Sequence, residues 1–496
     1  MNRPASCFRA TLFTALGVAL GSAVAAEPPT TFPTTPPAPG AAPTLSIPTP
    51  TSQTLPNGLR VISVRRDGLP LVTARLVIRS GDEMDPPSQA GLADLTANLL
   101  TKGAAGLTAP QIATAAETLG GSLTAAAGWD ESDVGITVTT PRLPQALALL
   151  ANVVRQPAFS ARELTRAQAQ AIDEVRLTLS KPTALAGLVA ARGTFGTGAY
   201  GHPRSGTPAS IARIGRADVQ QWHAALYRPD NAILILAGDI TPAQALQLAQ
   251  ASFGDWPRPA TPLPAKPAGS GERSLPAVVL INQHGAGQAG VVASHPAPPR
   301  SDAHYYDGLV ANAVLGGSYS ARLNEEIRIK RGLSYGAFSE LQPRRNAGAW
   351  LASAQTRNPA APQVVDLMLA QFHQLGDEKV PDAELAARKA TLIGSYGRSL
   401  ETTTGLATQL AELAAYDVNL DQISRFPDQV NAVTPRQLRK YAHKHLDADE
   451  ATVVVVGDAS QFAAAVRKAH PKALRLDAAT LDLDRADLGA GTAPTP

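Results

Sequence analysis

The sequence is poor in several things. Its 496 residues include one cysteine, Cys7, and three methionines, and aromatic residues make up 5%. A single cysteine leaves no internal disulfide to staple the fold. Charge is scarce as well: charged residues are 17% and the formal net charge is +3. With so even a balance there is no reason to expect nucleic acid or an anionic membrane as partner. The nine histidines nowhere form His-x-x-Glu-His or its reverse. Past the N-terminus no run is apolar enough to span a bilayer. What is present is core-forming material, 44% hydrophobic, on a chain long enough for two to four domains.

The first residues have the pattern of a secretory signal. Arg3 and Arg9 precede an apolar run from Ala10 to Val24, and Ala23-Val24-Ala25 ends it with a small-x-small pattern, Ala26 being an alternative end. The run is shorter than the ~20 residues a membrane span needs. Residues 1–26 are therefore expected to be removed, taking Cys7 with them. That leaves a periplasmic mature chain near neutrality with no membrane span. Residues 27–50, rich in Pro, Ala and Thr, form an extended linker. A second Pro-rich stretch, residues 257–276, separates a first domain (51–256) from a second (277–480) and would permit a hinge. Residues 481–496 have the composition of a flexible tail.

The two halves look alike. Each opens with strand-like alternation, LRVISVRR and LVTARLVIRS in one, PAVVLINQ and GVVASHP in the other. Each continues in long helical patterns. Each closes on an apolar strand ended by Gly-Asp, at Asp239 and at Asp458. Duplication of one α+β domain follows, each copy an antiparallel sheet with helices packed on one face.

The segment GLADLTANLLTKGA, Gly91 to Ala104, is a helix after a strand and a loop. Leu92, Leu95, Leu99 and Leu100 share one side. In order and context it resembles the zinc-binding helix of the pitrilysin/insulinase peptidases. Those carry His-x-x-Glu-His there, two imidazoles one turn apart on zinc and a glutamate as base. Here the positions hold Asp94, Ala97 and Asn98. The frame of Gly91-Leu92-Ala93 and Lys102-Gly103 survives, but the chemistry does not. The family's third ligand, a glutamate on a later helix, falls at Glu174. Ala97 accepts no proton, and oxygen ligands substitute poorly for imidazoles on zinc, so no metal is expected on this chain. The stretch from Tyr200 to Thr241 resembles the family's closing segment of the first half. The resemblance as a whole runs from about Leu55 to Gln461.

In the second half, AVLGGSYSARLNEEIRIKRGLSYGAFSEL, Ala313 to Leu341, resembles the part of the family that holds a substrate-contacting Arg and Tyr. Arg328 and Tyr335 have that spacing. Gly316-Gly317 resembles the glycine loop lining the peptide chamber, and reads equally well as a helix stop. In two-subunit bacterial members, which are similar to the mitochondrial processing peptidase, one chain brings the zinc motif and the other the Arg/Tyr pair.

The resemblance implies half of a peptide-enclosing chamber. The chain would be a non-catalytic subunit, binding peptide substrate beside a homologous partner that holds the zinc. The alternatives are a peptide-binding or structural scaffold without a role in proteolysis, and an independent hydrolase with a rebuilt site. Two further motifs lack their context. Gly332 to Gly336 fits G-x-S-x-G, but helix precedes strand, the reverse of a nucleophile elbow. Gly285 to Gly290 fits G-x-G-x-x-G, but a strand follows and no helix N-terminus awaits a phosphate. His443 and His445 point to different helix faces.

Overall fold

The structure is a computed structural model and describes residues 47–490. The segment expected to be a secretory signal, most of the first expected linker, and residues 491–496 lie outside the described residues.

Two six-stranded sheets carry the fold. In the first half the strands are β1 (Thr51–Thr54), β2 (Arg60–Arg65), β3 (Leu71–Ile78), β4 (Thr124–Ala127), β5 (Ser132–Thr139) and β6 (Ala232–Gly238). They lie in the order β1-β2-β6-β3-β5-β4. The second half has β7 (Val278–Asn282), β8 (Ala289–Ala297), β9 (Ser334–Pro343), β10 (Gly348–Thr356), β11 (Thr452–Gly457) and β12 (Leu474–Asp477), in the order β9-β10-β8-β11-β7-β12. Laid side by side, five strands of each sheet have the same connectivity. The sixth differs: β1 comes from the N-terminal side and β12 from the C-terminal end. Most pairs are antiparallel, as the alternation predicts. β2 with β6, β7 with β11 and β7 with β12 are parallel.

Helices pack on one face of each sheet to make its main core. In the first half these include α1 (Leu92–Leu100) and α2 (Ala161–Leu179). The other face is covered by a helix from the opposite half. α3 (Pro182–Phe195), from the first half, sets Leu185, Ala186, Val189 and Ala190 against Val279, Val292, Val454 and Val456 of the second sheet. In the second half α4 (Tyr305–Leu315) packs in the main core, while α5 (Thr403–Ala415) crosses over. It sets Leu406, Leu410 and Ala414 against Ile62, Val77, Ile233 and Ile235 of the first sheet.

This exchange explains the two unbroken apolar strands. β6 and β11 are buried at every residue because both faces of the sheet are covered. The crossing helices are rich in alanine and come close. A Cβ on Gly193 of α3 would meet the Thr452 side chain at 2.5 Å, so only glycine fits.

The linker between the halves is fastened rather than free. Backbone hydrogen bonds run from Ala199 N to Ala268 O (2.9 Å), Gly271 N to Phe195 O (2.8 Å) and Thr197 N to Glu272 O (3.0 Å). Lys266 Nζ donates to Ser80 Oγ and to buried Glu83 Oε1, each at 2.8 Å. These bonds replace water on a Pro-rich segment that sequence leaves solvated.

The C-terminal segment is also packed as far as it is described, where composition had suggested a loose tail. Leu483 and Leu488 are buried against α3. Asp484 accepts from Thr207 Oγ1 at 2.8 Å and pairs with Arg213 at 2.7 Å. Two leucines spaced among Asp and Gly are enough to anchor a short segment once a helix offers them an apolar groove.

Candidate functional site

The entrance to α1 is built by acidic residues. Asp85 Oδ2 accepts from Gly91 N (2.8 Å) and Leu92 N (3.0 Å), and its Oδ1 from Ala93 N (2.9 Å). These bonds satisfy N–H groups that a helix start leaves open. α1 then presents Asp94 and Asn98 to a cavity of about 350 Å³, while Ala97 is fully buried in the core. Glu174, from α2, lines the same cavity, as do Ala125 to Ala127 of the edge strand β4. The structure thus brings Asp94, Asn98 and Glu174 to one wall, though they lie far apart in sequence.

A cation already sits in this wall. Arg204 Nη1 lies 3.7 Å from Asp94 Oδ1 and 3.6 Å from Asp82 Oδ2, and it donates to Ala127 O at 2.7 Å. Burial pushes the Asp94 carboxyl up. Arg204 and the Ser205 hydroxyl pull it back, and Glu174 adds to the rise. Asp82 is completely buried and neither carboxylate oxygen has a hydrogen-bond partner. Burial, reinforced by Asp94 and Asp85, holds its carboxyl well above the ordinary range.

The zinc that the family frame implies does not fit these residues. There is no imidazole, Asp94 is turned to a guanidinium, and a methyl stands where a base is needed. Among the described residues no group of three or more His, Cys, Asp and Glu is arranged to hold a metal ion. Sequence reasoning missed Asp82 and Arg204. The only signal was an arginine directly after His202-Pro203, which has no meaning without the fold.

The second-half segment is assembled differently. Its helix is irregular: one α-turn at Arg322–Asn324 passes into a π-turn at Glu325–Ile329. β9 carries an irregularity of its own, a register shift against β10 between Ser334 and Ala337. Arg328 stands on the π-turn and Tyr335 inside the shift. Both kinds of irregularity redirect side chains, and here they bring the two residues together. The Arg328 guanidinium carbon lies 4.7 Å from the Tyr335 ring centre and 4.7 Å from that of Tyr319. Tyr335 is 89% exposed.

Gly316 ends α4 with its N–H on Asn312 O (3.0 Å). A Cβ there would meet Ser339 N at 2.3 Å, so packing against β9 requires glycine. Gly317 next to it is exposed.

The other motifs have structural roles. Ser334 Oγ accepts from Gly336 N (3.0 Å) and donates to Gly336 O (2.5 Å), closing a local turn at the start of β9. Gly285 to Gly287 form the turn between β7 and β8. His445 packs on Tyr441 within their own helix.

Comparison with known proteins gives a consistent picture. Residues 60–199 match the model of the insulinase family, peptidase family M16, and residues 213–392 that of the peptidase M16 inactive domain. The chain is 25% identical over 427 residues to an uncharacterized zinc protease of Mycobacterium leprae, covering 85% of this chain and 94% of that one. It is 21% identical over 391 residues to a non-peptidase homolog of Helicobacter pylori, covering 79% and 90%. The crystal structure of a peptidase M16 inactive domain from Pseudomonas fluorescens superposes with a TM-score of 0.77 at 27% identity, covering 82% of this chain and 98% of that one.

Proposed function

The chain belongs to the insulinase family of M16 peptidases, and we propose that it serves there as the non-catalytic subunit of an exported zinc peptidase. It binds the peptide substrate, and a homologous zinc-bearing partner supplies metal and base. The observation that carries this reading is a contrast. The motif helix offers a buried Ala97 methyl and an Asp94 engaged by Arg204, while a half-buried Arg328 stands beside an exposed Tyr335.

Ala97 leaves the base position of α1 without a proton acceptor, so water is not activated from that position. Arg328 and the Tyr335 hydroxyl can donate to the substrate carbonyl in the partner's site and stabilise charge that develops there. β4 and β9 each pair on one side only, leaving two sheet edges. A peptide adds to such an edge through its main chain. Gly316 and Gly317 would border the chamber beside β9. Export to the periplasm follows from the signal pattern of residues 1–26.

The purified chain should show neither bound zinc nor peptidase activity, and activity should appear on mixing with a zinc-bearing relative. An unchanged rate in that mixture after Arg328→Ala and Tyr335→Phe would remove the role given to the pair.

A scaffold without any part in proteolysis is the second reading, favoured by the relative named as a non-peptidase homolog. A neighbouring reading frame containing His-x-x-Glu-His supports the subunit reading, and its absence the scaffold.

A further inference from the structure

The Arg328 guanidinium is the feature that the fold leaves unfinished. Its acidic neighbours are already engaged. Glu326 binds Lys330 and Arg331, each at 2.5 Å, and Glu325 lies 3.3 Å from Lys330. Arg322, one turn earlier, is held by Glu384 at 2.8 Å. Among the described residues Arg328 makes no ion pair and no side-chain hydrogen bond; its contacts are the faces of Tyr319 and Tyr335.

Both aromatic rings lie within cation–π range of the guanidinium and limit the directions it can take. Its N–H groups lie in the guanidinium plane, and among the described residues none of them has a hydrogen-bond acceptor. A carbonyl oxygen accepts at most two of five donors. The rest keep the fork geometry that matches a carboxylate.

The arrangement is held from behind by Asn324, which is completely buried. Its amide donates to Tyr319 O, and its oxygen accepts from Ala337 N at 3.2 Å. One side chain thus ties the loop bearing Tyr319 to the irregular start of β9 that bears Tyr335. Phe338, three residues along β9 from Tyr335, and Ile329, next to Arg328 in the chain, are 46% and 54% exposed and offer apolar surface.

We propose that Tyr319, Arg328 and Tyr335 form a clamp that reads a carboxylate side chain in the bound peptide, with Phe338 and Ile329 receiving its bulky apolar neighbours. The substrate class is therefore an extended peptide with an acidic residue flanked by apolar ones. Asn324 is a positioning residue. The proposal rests on the reading of the chain as a peptide-binding subunit and adds the selection rule.

The test uses the mature chain alone and a fluorescein-labelled hexapeptide with one Glu between Phe and Val, compared with its Gln counterpart by fluorescence anisotropy. The Glu peptide should bind about tenfold more tightly, as one lost charge-assisted contact predicts. Arg328→Lys keeps the charge but not the fork, and Tyr319→Ala removes one face. Each should bring the ratio below about threefold. Asn324→Ala should lower the ratio, as a positioning role requires, whereas a fall in affinity for both peptides with the ratio kept would make Asn324 purely structural. Equal binding of the two peptides by the wild-type chain, or binding of neither, overturns the proposal. The subunit reading fails separately, if a zinc-bearing relative gains no activity from this chain while the preference for Glu stands.

Discussion

The two halves have the same five-strand arrangement and different uses for it. In the first half the place of chemistry is closed: Ala97 is core, and Arg204 sits between Asp82 and Asp94. In the second, backbone irregularity holds a half-buried Arg328 beside the exposed Tyr335, and among the described residues no carboxylate pairs with the guanidinium. A duplicated fold thus keeps its packing in both copies while its polar residues diverge. Packing is shared because each sheet depends on a helix from the other copy. The polar sites are not under that constraint.

The first way to break the comparison is through the crossing helices. Leu410→Ala on α5 and Leu185→Ala on α3 each leave a cavity against the opposite sheet. Each should cost about 2–5 kcal/mol, with one cooperative transition in denaturant melts followed by fluorescence and circular dichroism. Separate melting of one half would show that the halves are not interdependent.

The motif helix comes next. Ala97→Glu, the single change that would return a base, places an unpaired carboxylate in the core. It should cost about 3 kcal/mol in thermal or urea unfolding. Retention of wild-type stability would mean that the closed site of the first half can open.

A smaller effect concerns the seam where the first half meets α5. Burial pushes the Glu131 carboxyl up to about 7, partly relieved by Arg75 and reinforced by Asp133 and Glu412. One of its oxygens is buried without a partner. Because the folded state favours the protonated form, this stabilisation is complete below the ordinary value of 4.5 and is lost as pH rises through about 7. Glu131→Gln should therefore match the wild type near pH 4 and exceed it by up to about 3 kcal/mol at pH 8, seen as a widening gap in melting temperature.

The least effect on stability is expected at the open site. Arg328→Ala and Tyr335→Phe should change unfolding by under about 0.5 kcal/mol, while activity with the zinc-bearing partner falls. A large loss of stability would make the pair structural and erase the contrast between the halves.

Much of the fold is visible in the linear order of residues. Alternating apolar positions gave the strands, and the recurrence of an apolar run ended by Gly-Asp marked the duplication. The crossing helices were hidden. PTALAGLVAARGTF and TTGLATQLAELAA are alanine-rich, largely apolar segments, and nothing local says which sheet they cover. The unbroken burial of β6 and β11 was the one available hint, since strands covered on both faces need no polar side. The linker and the C-terminal segment were misjudged for a related reason. Pro- and Gly-rich composition reports the lack of an internal core, but not the hydrogen-bonding partners that a neighbouring backbone supplies.

At the sites, residue identity alone decided that α1 carries no imidazole and no base at the motif position Ala97, because side-chain chemistry does not depend on where a residue is placed. The spacing of Asp94, Asn98 and Glu174 was also written in the chain. Only tertiary structure could bring Arg204 to Asp94 and leave Arg328 without an acid. Charge pairing depends on distances across the fold, and two arginines acquire opposite roles from the carboxylates that folding puts within reach.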